Sequence, residues 1–133
     1  MSYSLWLMRF VDGRAVPLDA ERLQQVIAPY TAAGLTDGFA LLTAEDGGEA
    51  DVYADASGPD GLTGVMVTHF AKGAVLDVLA RLAGELGAFV LPQDGRVLLA
   101  HEDERQHLPP EVRQDATVAP LTGEAIQAEI DRI

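Results

Sequence analysis

Residues 5–11, Leu-Trp-Leu-Met-Arg-Phe-Val, put apolar side chains on both alternating faces of an extended segment. A strand with this pattern belongs near the centre of a sheet and needs cover on each face. The rest of the chain is therefore read for what could supply two covering layers.

After an Asp12-Gly13 turn, Asp19 is placed to cap a helix, with Leu18 and Leu23 as the flanking staple. Leu23, Val26, Ile27 and Tyr30 then form one apolar stripe, which Pro29 and Gly34 terminate. Residues 39–44 and 49–54 flank Asp46-Gly47-Gly48 and predict a hairpin. A strand over 62–70 leads into a helix over 73–86, closed by Gly87. Residues 89–91 and 96–101 around Gln93-Asp94-Gly95 predict a second hairpin.

This order is strand, helix, strand, strand, written twice, with pseudo-halves at about 3–55 and 62–101 and an extension over 102–133. The expected fold is a single α+β domain over 1–133, with six strands in one mostly antiparallel sheet. An internal duplication would put two helices on one face and the strand that opens each half near the centre. Residues 102–119 are polar and predict a surface loop. A last helix starts at the Thr122 cap, with Leu121 and Ile126 as its staple, and carries Ile126, Ile130 and Ile133. That stripe has two destinations, the second face of the sheet or another copy of the chain, which would make a homodimer.

Charge narrows the function. Nine Lys and Arg against 21 Asp and Glu give a net charge of -12, which argues against nucleic acid or an anionic membrane as partner. No Lys or Arg lies between Arg22 and Lys72, where Asp37, Glu45, Asp46, Glu49, Asp51, Asp55 and Asp60 all fall. With no cysteine, no apolar run of membrane-spanning length and no secretory leader pattern, a cytoplasmic location is expected.

Catalytic patterns fail one by one. None of the serines sits in a nucleophile elbow, and no phosphate-binding or dinucleotide glycine loop is present. His101 and His107 are six residues apart, about 600° of helix rotation, and so face different ways. Residues 55–61 lack the ligand spacing and terminal glutamate of a calcium loop. No metal and no cofactor are expected.

Two groupings remain. Arg9 and His69 occupy matching places in the pseudo-halves, each before a phenylalanine, and would line a pocket if they point to one sheet face. The other grouping is Asp46, Glu49, Asp51, Tyr53 and Asp55, an acidic strand and turn with one aromatic that could anchor a partner. Trp6 is expected in the core.

The leading expectation is a non-catalytic acidic module that binds a basic protein. In size, acidity and lack of a catalytic group the chain resembles bacterial immunity or inhibitor proteins. The alternatives are an anionic-metabolite site or minor enzyme around Arg9 and His69, and self-assembly through the last helix.

Overall fold

A computed structural model of the chain describes residues 3–93 and 96–132. Asp94 and Gly95 of the expected second turn, and Ile133 of the last stripe, lie outside the described residues. The sheet has eight strands: β1 (Ser4–Val11), β2 (Arg14–Val16), β3 (Phe39–Thr43), β4 (Glu49–Tyr53), β5 (Val65–Thr68), β6 (Phe89–Pro92), β7 (Leu98–Leu99) and β8 (Thr117–Val118). The spatial order is β3-β4-β5-β1-β6-β7-β8, and β2 pairs with β1 as a hairpin arm. Every pairing is antiparallel except β7 with β8. The strands that open the two halves, β1 and β5, are neighbours at the centre, as the apolar pattern requires.

The internal duplication does not extend to the sheet. In the first half the returning hairpin arm, β4, lies beside β5. In the second half the outgoing arm, β6, lies beside β1. Exchanging the halves would not map the strand order onto itself.

Helices α1 (Ala20–Ile27), α2 (Ala74–Leu86) and α4 (Gly123–Arg132) cover one face. Leu5 and Leu7 of β1 pack there with Val52, Val67, Leu23, Leu79 and Ile126 in one buried cluster. Asp19 caps α1 as its spacing predicts, its carboxylate accepting from the Arg22 amide at 3.0 Å. Ile126 is fully buried and Ile130 packs against the same cluster, so the stripe of α4 is used within the chain. This helix does not cover the second face of the sheet.

Part of that second cover comes from a segment that reads as a loop in sequence. A 3-10 helix (Glu102–His107), α3 (Pro110–Arg113) and β8 fold under the β6–β7 end. Phe10, Phe89, Val97 and Leu99 meet Leu108 and Ala116 there in a second buried cluster. Arg105 donates to the carbonyls of Arg113 and Ala116, and Arg113 to that of Leu108, which satisfies the turns of this segment internally.

Helix α2 is capped from outside its own sequence. Its first residue follows Gly73, which has no side chain to offer. Asp46, in the β3–β4 turn, accepts instead from the Ala74 amide at 3.1 Å and from the Gly48 amide at 2.9 Å. These two amides hold the Asp46 carboxyl below its ordinary range. Gly73 has φ +103°, and a Cβ placed on it would stand 2.7 Å from Asp46 Oδ2. Gly73→Ala is therefore expected to cost about 2 kcal/mol through backbone strain and displacement of this cap. Urea denaturation checks it, and a loss near zero would mean that the turn simply moves aside.

Candidate functional site

Beyond the second buried cluster, against which Met8 and Leu91 also pack, the second face keeps half-buried and exposed side chains. Strand register aligns one residue from each of five strands across it: Phe39 opposite Tyr53, Tyr53 opposite Met66, Met66 opposite Trp6, and Trp6 opposite Leu91. Residues directly opposite in an antiparallel pair share a face, so these five side chains form a transverse apolar row. Phe39 and Tyr53 meet edge to face with ring centroids 5.1 Å apart. Trp6, expected in the core, is only half-buried and stands mid-row, because its neighbours Leu5 and Leu7 take the helix side. Beside the row, Leu41 is 43% exposed and Tyr53 39%.

The middle of the row lies in a concavity of about 940 Å³. Its floor is Trp6, Met8, Tyr53 and Met66. Its rim includes Asp37, Asp55 and Ser57, from the loops before β3 and after β4. Asp37 (φ +53°) and Gly38 (φ +79°) form the tight turn into β3, closed by the Thr36 and Phe39 backbones. Asp55 Oδ1 accepts from the Ser57 hydroxyl at 2.6 Å and the Ser57 amide at 2.9 Å, and these bonds lower its carboxyl below the ordinary range. No lining residue is basic, and β3, β4 and β5 carry no Lys or Arg. No family model, curated protein or solved structure matches the chain.

The structure separates several residues grouped by sequence. Arg9 and His69 lie on adjacent strands, but β1 and β5 run antiparallel, with Ser4 opposite Thr68 and Leu7 opposite Val65. The two are therefore at opposite ends of the pair, about 20 Å apart at the rise of an extended strand. The Arg9 side chain lies against Gly87 at the end of α2, a position that complements the helix C-terminus. His69 (φ +52°) faces solvent and bonds Asp51 at 3.0 Å. They share no pocket.

Of the acidic grouping, Asp46 is exposed and its carboxylate caps α2. Glu49, Asp51 and Tyr53 alternate outward on β4, and Asp55 reaches the rim of the concavity. His101 is exposed and its amide bonds Glu104, while His107 Nδ1 accepts from the Asp12 amide at 3.2 Å. Among the described residues no cluster of three or more His, Asp or Glu could hold a metal ion, and no helix is long and apolar enough to cross a membrane.

Sequence reasoning singles out Tyr53 and its acidic neighbours but not Trp6, Met8 and Met66, which line the same concavity as Tyr53. The signal was present in the two-faced apolar pattern of β1. On its second face the described residues bury Phe10 but leave Trp6 and Met8 half-buried.

Proposed function

We propose that this chain is a non-catalytic binding module that docks a basic protein on the open face of its sheet. The observation that carries the reading is the five-strand apolar row, half-buried except for the exposed Tyr53, beside carboxylates and without a basic residue on β3, β4 or β5. Apolar contact would supply affinity, and the surrounding negative potential would steer a cationic partner and set its orientation. A second copy of the chain fits poorly, since its net charge of -12 would meet the same sign.

Tagged protein and a Leu41→Arg variant test this against the native lysate. Leu41 lies on the open face at 43% exposure, so the substitution leaves the core intact and places a repelling cation beside the row. The wild type should retain one stoichiometric basic protein that is released as salt rises, and the variant should retain none. Equal retention by the variant, or a partner indifferent to salt, would place the interface elsewhere.

A further inference from the structure

The concavity at the middle of the row narrows what the partner must present. Its floor carries two aromatic rings and two flexible thioethers, and carboxylates stand on its rim. A neutral apolar side chain would fit the floor but leave Asp37 and Asp55 desolvated without a counter-charge. An anion would meet both carboxylates. A planar cation satisfies floor and rim together, because guanidinium stacks on aromatic faces and donates in its own plane to carboxylates. The Asp55 carboxylate is already ordered by Ser57 through Oδ1, and no described donor bonds its Oδ2. Its carboxyl is kept below the ordinary range, so it is charged at neutral pH. Asp37 is exposed on a tight turn, the geometry of which holds it at the rim.

We propose that this concavity seats an arginine side chain of the protein partner, its guanidinium over the Trp6 and Tyr53 floor and its donors on Asp37 and Asp55. The assignment rests on the basic-partner reading and gives it a residue type and a place. Phe39 and Leu91, which continue the apolar row on either side of the concavity, make a side chain on a larger partner a better fit than a free cation, since the flanking residues of that partner would lie over them.

Trp6 is the only tryptophan in the chain and lines the concavity, so its fluorescence reports occupancy directly. The probes are a blocked Gly-Val-Arg-Val-Gly peptide and the same peptide with citrulline, which keeps the shape and removes the charge. The expected result is a saturable Trp6 change with the arginine peptide and a response about tenfold weaker or less with citrulline. The double substitution Asp37→Asn and Asp55→Asn should weaken the arginine peptide about tenfold, with circular dichroism unchanged. An equal response to citrulline, no response to the arginine peptide, or indifference to the double substitution would overturn the proposal. Failure here combined with salt-sensitive capture that Leu41→Arg abolishes would remove the arginine seat alone. Failure of both would remove the basic-partner reading as well.

Discussion

Glu129→Gln should lower stability at neutral pH by about 2 kcal/mol, with the loss fading as pH falls from about 4.5 toward about 2. Glu129 is only 4% exposed, on the inner side of α4. It accepts from the Arg96 amide at 2.8 Å, from the Arg96 guanidinium at 3.2 Å, and from Arg132 at 2.8 Å. Arg132, then Arg96, lowers its carboxyl from 4.5 to about 2 against the opposing effect of burial. A carboxyl depressed in the folded state stabilises the fold above its unfolded value, and that contribution disappears as it protonates. Such a depression corresponds to about 3 kcal/mol, but the two arginines are 40% and 48% exposed and water screens them, so about 2 is expected. Acid titration of both proteins by circular dichroism checks the sign: their stabilities should converge near pH 2. A gap that stays constant with pH would assign the loss to packing instead.

The same residue shows where reading the sequence runs out. The helix over 122–132, its Thr122 cap and the burial of Ile126 follow from spacing alone, and the Thr122 hydroxyl accepts from the Ala125 amide at 3.1 Å. Its bonds to Arg132 are local, but those to Arg96 come from 33 residues away, and no local pattern marks Glu129 for burial. Asp46 is the same case: its spacing marks a turn, while its bond to Ala74 spans 28 residues and depends on how the hairpin sits over α2. Local patterns predict elements, and their register against each other decides which charge ends up paired. Arg9 and His69 failed as a pair for that reason. In an antiparallel pair, matching positions meet only at the crossing point, here Trp6 and Met66, and Arg9 and His69 each lie three residues beyond it in opposite directions. Residues 102–119 read as a loop because their polar residues outnumber the few that anchor the segment. Leu108 and Ala116 are spaced eight apart, with no period to reveal them.

Leu108→Ala should be the most damaging single change outside the helix-side core, at about 3 kcal/mol. Leu108 is fully buried against the cluster of Phe10, Phe89, Val97 and Leu99, and truncating it leaves a cavity that those rings cannot easily fill. Leu41→Ala supplies the contrast: a leucine on the same face of the sheet but 43% exposed, for which less than about 0.5 kcal/mol is expected. Denaturation in urea measures both. The difference between them separates the part of the second face that the chain covers for itself from the part it leaves open. If Leu41→Ala cost as much as Leu108→Ala, the row would be structural packing and no docking surface. If Leu108→Ala cost little, residues 102–118 would be a loosely held cover, and Phe10 and Phe89 would join the exposed row. With the expected pair of values, β1 has one face closed by helices, one end of the other closed by Leu108, and Trp6 and Met66 left half-buried between them.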